Sequence, residues 1–490
     1  MYGRILKNTI ICTTMLILLA GCSPQEVSAP ASSEVTDGTE SGVSFTLPAY
    51  IPRALVDSAG YETGADKTVL FCTKETGEYF EVRTADDDTV VYTGKVKDFR
   101  SAGSGMSYGQ FSSYQTPGEY YIYTEETGSS YSFCIEEGLN RQKLLDACER
   151  FFSLRCGFTT AKEGTAGVSS GTPCHTQPAR LRQNPDEEKE VHGGWHTDSY
   201  GGRDTQEGCN ALRDLLMILE IYPNRSDLQS ITDEVMYELN WLLRMQDESG
   251  GVYGGVLTGG NEMSVNLTLT EITPEATVSF AGVLARAAYL FRESNPAFSE
   301  QSLTAAKKAW EYYAGHATAT ADSKAFSASS ELYRLTGERK YENVLSAYFR
   351  KTNFVGLFRE DDEIFYGSYA YINTTQPVNV EVCNTIMSAL LEEAEKIADR
   401  SNESSYFVSA EDSDAILQNM LRLSVANHVI YNHEYTNILE NHVHYLYGRN
   451  AKATDFVTGG KEVTAKGFEE NSIYAKPVRL ARFVFLLASL

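Results

Sequence analysis

The sequence predicts a multidomain chain of 490 residues in which a small all-β sandwich of immunoglobulin type precedes an all-α domain. Two observations support this division. From residue 44 to residue 136, β-branched and aromatic residues come in short runs separated by Gly, Asp and Ser, which is typical of strands and turns. From residue 137 to residue 490, apolar residues instead recur at helical spacing. We therefore expect one domain in each segment.

The β domain contains several runs with strong strand character. Their roughly regular spacing favours a small sandwich, because such folds are built from many short strands joined by turns. The predicted strands are 67–73, 79–84, 89–96, 118–124 and 130–135.

The helical domain contains about a dozen amphipathic segments and no convincing series of strands. In the first segment, Leu144, Cys148 and Phe151 mark one apolar face. The later segments are 209–222, 228–245, 277–292, 302–313, 323–335, 341–350, 384–398, 410–425, 435–447 and 474–490. Periodicity alone permits either two concentric rings of helices or a solenoid, although we find no fixed repeat period.

The N-terminus has the layout of an export signal. Arg4 and Lys7 precede an apolar run, which ends in Leu-Ala-Gly-Cys at Cys22. This ending resembles a bacterial lipobox, which implies cleavage after residue 21, lipidation of Cys22 and anchoring on the extracellular side of the cell membrane. The alternative is a membrane-spanning anchor, but the run is short of the roughly 20 residues that a span needs. Residues 22–43, rich in Ser, Thr, Pro and Glu, are expected to form a disordered linker.

The composition excludes some classes of partner. The chain has 66 acidic and 42 basic side chains, a net charge of -24, which disfavours nucleic acid and anionic membrane surfaces as partners. We expect a monomer that contacts the membrane only through its lipid and binds a neutral polar ligand. Seven of the nine cysteines follow Cys12 and Cys22, and their odd number and scattered spacing do not indicate a disulfide framework.

Motifs along the chain resemble glycoside hydrolase family 9, in the cellulase type that carries an N-terminal immunoglobulin-like domain. They occur in family order at 92–94, 117–122, 150–157, 174–179, 193–196, 241–247, 250–253, 276–288, 331–337 and 445–450. The resemblance implies that the helices form an (α/α)6 barrel whose loop-bearing end is a cleft. It also implies an endoglucanase type of activity on β-1,4-linked glucan, without an organic cofactor.

Two cysteines and two histidines form a candidate metal site. Zinc binds two thiolates and two imidazoles in a closed tetrahedral site, which is structural because no position stays open for water. Spacing alone favours a buried thiol and ordinary loop histidines. The resemblance, however, places the four residues at the zinc ligands of immunoglobulin-bearing family members. They are Cys156, Cys174, His175 and His196.

The candidate general base lies after the Gly-Gly-Trp-His motif at 193–196. Inverting hydrolysis needs a general acid and a general base on opposite faces of the sugar. The resemblance implies a base from an Asp-Ala-Gly-Asp run, but here residues 197–200 are Thr-Asp-Ser-Tyr, with neither aspartate in register. Asp198 is our candidate for a displaced base, and Asp204 is a more distant substitute. The alternative for both is a solvated loop acid.

The candidate general acid is Glu469. It lies eight residues before Pro477, the spacing that the resemblance implies for the family's catalytic glutamate, although Glu470 adjoins it. Such an acidic pair is also typical of simple charges before a helix. After the Phe-Val-Thr-Gly run at 456–459, the chain lacks the long loop that carries sugar contacts in active family members.

Aromatic side chains are candidates for stacking on sugar rings. Trp195 and Tyr200 lie beside the motif, and a further tract comprises Phe365, Tyr366, Tyr369 and Tyr371. The favoured interpretation is an inverting endoglucanase-type hydrolase. Because both family aspartates are replaced, the alternative is a non-catalytic surface lipoprotein that binds carbohydrate.

Overall fold

The computed structural model describes residues 51–99, 105–157, 173–223, 225–259, 266–459 and 472–490. The predicted signal peptide, the lipidation site Cys22 and the linker up to residue 43 lie outside the described residues. Within the described part of the chain, no helix combines the length and the apolar character that crossing a membrane requires.

The N-terminal domain is a β-sandwich, as the sequence predicts. Its strands pair in the order β1-β3-β6-β5-β4-β7-β9-β2, with β8 beside β7. The strands are β1 (Ala54–Leu55), β2 (Tyr61–Glu62), β3 (Thr68–Phe71), β4 (Tyr79–Thr84), β5 (Val90–Asp98), β6 (Ser107–Gln110), β7 (Gly118–Thr124), β8 (Gly128–Ser129) and β9 (Phe133–Glu136). The sequence indicated five of these, and it missed β6 and the two-residue strands because they carry too few apolar residues to show an alternation.

The long strand β5 joins the two layers of the sandwich. Its first part pairs with β4 and its last part, from Val96 to Asp98, pairs with β6. Phe80 fills the space between the layers and is fully buried. A Cβ at Gly94 or at Gly109 would lie 2.3 Å from the Phe80 ring, so both positions require glycine for this ring to pack.

Thirteen α-helices follow in the described part of the helical domain. They are α1 (Leu139–Leu154), α2 (Thr205–Ile221), α3 (Gln229–Met245), α4 (Pro274–Phe291), α5 (Pro296–His316), α6 (Asp322–Thr336), α7 (Arg339–Phe349), α8 (Phe354–Glu360), α9 (Asp362–Ile372), α10 (Val380–Glu403), α11 (Ser413–Val429), α12 (His433–Leu446) and α13 (Pro477–Ala488). Helices α8 and α9 have no counterpart among the predicted helices, whereas every other helix overlaps a predicted one.

The helices form two concentric rings. In the inner ring, α13 packs on α2, α2 on α4, α4 on α6, α6 on α9, and α11 on α13. The ring closes between α9 and α11, where Asp362 accepts from Arg422 at 3.0 Å. Helices α1, α3, α5, α7, α10 and α12 pack outside. The double ring is the helical barrel that the resemblance implied, rather than a solenoid.

A cluster of charged side chains is buried between three helices of the inner ring. Arg286 of α4 pairs with Glu220 of α2 at 2.6 Å and with Glu331 of α6 at 3.0 Å. Arg334 of α6 contacts the same two glutamates, so two positive and two negative charges are buried together. Because a buried charge is costly unless it is paired, these contacts fix how the three helices pack.

A small second sheet forms from the segments that connect α1 to α2 and α3 to α4. Its strands, in the order β11-β10-β14-β13-β12, each contain two or three residues. They are β10 (Ala179–Leu181), β11 (Glu188–Lys189), β12 (Arg203–Asp204), β13 (Gly255–Leu257) and β14 (Thr268–Leu269). The sequence indicated no strand series here, since strands this short leave no periodic pattern.

Buried polar contacts join the sandwich to the barrel. Asp57, which is fully buried, accepts from Lys143 of α1 at 3.1 Å and contacts Nδ1 of His444 of α12 at 2.8 Å. The Ser58 hydroxyl donates to the carbonyl oxygen of Tyr447 at 2.7 Å. His444 is therefore a structural residue of the interface between the sandwich and the barrel.

Candidate active site and metal centre

The Gly-Gly-Trp-His motif crosses helix α3 and leads towards α2. Gly193 and Gly194 have φ values of 97° and 82°, in the left-handed region that favours glycine. A Cβ at Gly194 would lie 2.5 Å from the Trp241 ring. The motif therefore needs its second glycine to pass directly over Trp241.

Trp195 holds the motif in place from inside the protein. Its backbone N–H donates to Glu238 Oε2 at 2.8 Å, and its ring Nε1–H donates to Glu234 Oε2 at 3.2 Å. Burial raises the pKa of Glu238 to about 8. Trp195 is only 1% exposed, which contradicts the expectation that its ring stacks on a sugar. The sequence did not reveal that two glutamates one helical turn apart on α3 accept from the ring N–H and the backbone N–H of Trp195.

The four predicted metal ligands lie together beneath the motif. One candidate ligand atom from each of Cys156, Cys174, His175 and His196 lies within 4.8 Å of the other three. Cys156 Sγ is 3.6 Å from His175 Nδ1, and Cys174 Sγ is 3.6 Å from His196 Nε2. Two thiols and two imidazoles at this separation fit a tetrahedral metal ion, so the residues form a possible metal-binding group.

Backbone contacts bring these ligands to one point. The Cys156 N–H donates to the carbonyl oxygen of Gly194 at 2.8 Å, and the His196 N–H donates to that of Leu154 at 2.7 Å. These bonds tie the end of α1 to the motif.

The protonation of the thiols suits metal binding. A hydrogen bond with Cys156 lowers the pKa of Cys174, and His175 and His196 lower it further, against the effect of burial. The same pairing, together with burial, raises the pKa of Cys156. The lower pKa of Cys174 favours its thiolate, which is the form of cysteine that coordinates metals.

Asp198 lies in an exposed turn after the motif. Its Oδ1 accepts from the backbone N–H of Tyr200 at 2.8 Å and from that of Gly202 at 2.9 Å. The carboxylate thus stabilises the turn that carries the chain from His196 towards α2. Tyr200 is 55% exposed, so its ring is accessible to a ligand.

Asp204 and Glu207 begin helix α2. Asp204 Oδ1 accepts from the Glu207 N–H at 2.8 Å, the bond expected of an N-cap residue. Burial raises the pKa of the Glu207 carboxyl to about 7, and the charges of Asp204 and Asp198 raise it further. Asp204 has a structural role, and Glu207 is a partly buried acid that sequence reasoning did not single out.

The starts of the inner helices meet at one end of the barrel. Lys324 at the start of α6 pairs with Glu363 at the start of α9 at 3.1 Å, and Asp414 of α11 pairs with Arg479 of α13 at 2.7 Å. The Glu207 carboxyl interacts electrostatically with Arg479. The turn after the motif therefore opens onto an end of the barrel that is rich in charged groups.

The remaining predicted site residues are the aromatic tract of α9 and the candidate acid Glu469. Phe365, Tyr366, Tyr369 and Tyr371 are each at most 8% exposed in the inner helix α9, so they pack in the barrel and are not sugar platforms. Glu469 lies outside the described residues, and its role as the general acid stays a prediction.

Comparison with known proteins matches both domains. Residues 141–475 match the model of glycosyl hydrolase family 9, and residues 50–129 match that of the cellulase N-terminal Ig-like domain. Endoglucanase D of Acetivibrio thermocellus is 25% identical over 428 residues, which cover 76% of this chain and 68% of that protein.

Solved structures share the fold. A single mutant of a thermostable endoglucanase from Alicyclobacillus acidocaldarius has a TM-score of 0.75 at 21% identity, covering 90% of this chain and 99% of that one. A zinc-binding triple mutant of a family 9 endoglucanase has a TM-score of 0.73 at 20% identity, covering 87% and 99%. At these identities the likeness shows the fold alone.

Proposed function

Because the chain belongs to glycosyl hydrolase family 9, we propose that it hydrolyses β-1,4-linked glucan or a related oligosaccharide, as an inverting enzyme of endoglucanase type. The observation that carries this proposal is the family match over residues 141–475, joined to the barrel. A relative named as an endoglucanase, aligned over 76% of the chain, supports it.

The geometry that supports the proposal is the position of the motif turn. It stands over the end of the barrel where the inner helices start and where carboxyl groups are concentrated. Inversion needs one acid on the leaving oxygen and one base on a water, with the two carboxyls roughly 6.5–9.5 Å apart. We assign the acid to Glu469. On the base side, the candidates are Asp198 in the motif turn and Glu207, whose carboxyl interacts electrostatically with Asp198.

The alternative is a surface protein that binds oligosaccharides without cleaving them. The observation that favours it is the use of Asp198 Oδ1 in two backbone hydrogen bonds, together with Thr197 and Tyr200 at the family's aspartate positions. A reducing-sugar assay over glucan, xylan and chitosan, paired with calorimetry on the same substrates, separates the two. Sugar release from glucan supports the hydrolase, whereas binding without release supports the alternative.

We also propose that Cys156, Cys174, His175 and His196 hold a structural zinc ion. The donor set supports zinc, and a closed four-ligand site has no position for a reacting water. A bound ion would hold the motif against the end of α1. Zinc would thus stabilise the turn beside the cleft without taking part in the chemistry.

Replacing Cys174 by Ser is expected to remove the zinc. Purified wild-type protein should contain about one zinc ion per chain, and the variant should contain close to none, because structural zinc binding depends on the full ligand set. Cys383→Ser is the matched control, since Cys383 is a partly buried cysteine outside the cluster. Elemental analysis after dialysis measures both. An equal metal content in the two variants would refute the site.

We propose further that Cys22 is lipidated and anchors the protein on the extracellular side of the cell membrane, where it acts as a monomer. The lipobox-like ending at Cys22 supports this. Cys22→Ala should move the protein from the membrane fraction to the soluble fraction, and the matched control Cys12→Ala should leave it in place. Membrane association of the Cys22 variant would contradict the anchor.

A further inference from the structure

The carboxyl of Glu207 lacks the structural partner that its position suggests. Asp204 at the N-cap and Glu207 three residues later have the spacing of a capping box, in which the glutamate accepts from the backbone N–H of the cap residue. That return bond is not formed. Oε1 of Glu207 is shielded from solvent and has no hydrogen-bond partner among the described residues. A shielded carboxyl oxygen without a donor destabilises a fold, so capping does not explain this glutamate.

Glu207 lies between the two segments from which the proposed site is built. Its carboxyl interacts electrostatically with Asp198 in the motif turn and with Lys476 and Arg479 at the start of α13. Both segments stand at the end of the barrel where the inner helices begin. Glu207 as a whole is only partly buried, although its Oε1 is shielded.

Asp198 is less suited to take a proton from a water molecule. Its Oδ1 already accepts from two backbone N–H groups, at 2.8 and 2.9 Å, and the turn depends on both bonds. Asp204 is also committed, since its Oδ1 caps α2. Among Asp198, Asp204 and Glu207, only Glu207 has a carboxyl group that accepts no hydrogen bond from the described residues.

We propose that Glu207 is the general base of this enzyme and that Asp198 holds the motif turn beside it. This assignment rests on the proposed hydrolase function. The Glu207 carboxylate removes one proton from a water whose oxygen bonds to the anomeric carbon. The bond from that carbon to the leaving oxygen breaks, and the leaving oxygen takes a proton from the general acid. The new sugar end has inverted configuration, and Glu207 returns its proton to solvent.

The charged groups around Glu207 determine how the activity of the enzyme should depend on pH. Burial raises its pKa to about 7; Asp204 and Asp198 add to this increase, while Lys476 and Arg479 oppose it. A base works in its deprotonated form, so kcat/KM should rise with pH through about 7. Asp198→Asn keeps the acceptor oxygen of the turn but removes a negative charge, and it should therefore move this rise to lower pH.

The test compares Glu207→Gln with Glu381→Gln in the full chain, on a soluble β-glucan. Glu381 is the matched control, because it is an exposed glutamate in the first turn of α10, where Asn379 is the cap. Glu207→Gln should lower kcat at least about a hundredfold, the usual contribution of general base catalysis, and Glu381→Gln should not change it. Thermal unfolding of both variants shows whether the fold is kept.

A second variant separates a base from a structural residue. Azide needs no base, so added sodium azide should restore cleavage by Glu207→Ala and yield a glycosyl azide of inverted configuration. A merely structural role predicts no such product.

The outcomes distinguish this assignment from the proposed function. A wild-type rate in Glu207→Gln, with a hundredfold loss in Asp198→Asn, would overturn the assignment and leave the hydrolase proposal standing. A wild-type protein that releases no sugar from any tested glucan would overturn the proposed function, and the assignment with it.

Discussion

Glu469→Gln is expected to lower the rate of sugar release from β-glucan by at least about a hundredfold, because general acid catalysis usually contributes 10²–10⁴ in rate. Glutamine has the size of glutamate but no proton to give to the leaving oxygen. A reducing-sugar assay at saturating substrate measures the loss. The effect should appear in kcat, since the acid acts on the leaving group and not on substrate binding.

Glu470→Gln is the matched control for this variant. The two glutamates adjoin, and only the first lies eight residues before Pro477. The control should keep roughly the wild-type rate if Glu469 is the acid. A large loss in Glu470→Gln with an active Glu469→Gln would show that the acid is one position later. Full activity in both variants would contradict a catalytic role for this pair.

Arg286→Met should lower the free energy of unfolding by about 3–5 kcal/mol, since removing one partner of a buried ion pair leaves an uncompensated charge. The Arg286 side chain is 2% exposed and pairs with Glu220 and Glu331. After the change, the cluster inside α2, α4 and α6 would hold two glutamates and one arginine. Urea unfolding followed by circular dichroism measures the difference.

Lys340→Met is the control for a surface ion pair. Lys340 and Glu311 are 43% and 63% exposed, and such pairs contribute about 0–1 kcal/mol. If Arg286→Met lowered the free energy of unfolding as little as Lys340→Met does, the buried cluster would not hold the three helices together. A double variant, Arg286→Met with Glu331→Leu, should regain part of the lost stability because it removes one charge of each sign.

The sequence predicts the architecture well where elements are long and amphipathic. The sandwich and most of the barrel helices follow from apolar periodicity alone, but the closed ring required the resemblance. Helix α9 was missed because a strongly aromatic segment that is buried on nearly all sides has no polar face to mark its period. The same aromatic side chains suggested sugar platforms, and the packing of α9 inside the barrel explains why they are not.

The candidate site was predictable only in part. The four residues of the possible metal-binding group are far apart in sequence and were found through resemblance, and the fold brings them together. Trp195 was misassigned because the sequence does not show that Glu234 binds its ring N–H and Glu238 its backbone N–H inside the protein. The role of Glu207 depends on a hydrogen bond that its sequence position suggests but the structure does not form. The sequence alone does not show that this hydrogen bond is absent.

The configuration of the first product tests the central claim most directly. Proton NMR of the wild-type protein acting on a soluble cello-oligosaccharide identifies the anomer that is released before mutarotation. An inverting hydrolase of β-1,4-glucan releases the α-anomer first, and this is the expected result. Release of the β-anomer would contradict inversion with a separate acid and base. No release from an oligosaccharide that calorimetry shows to bind would contradict the hydrolase itself.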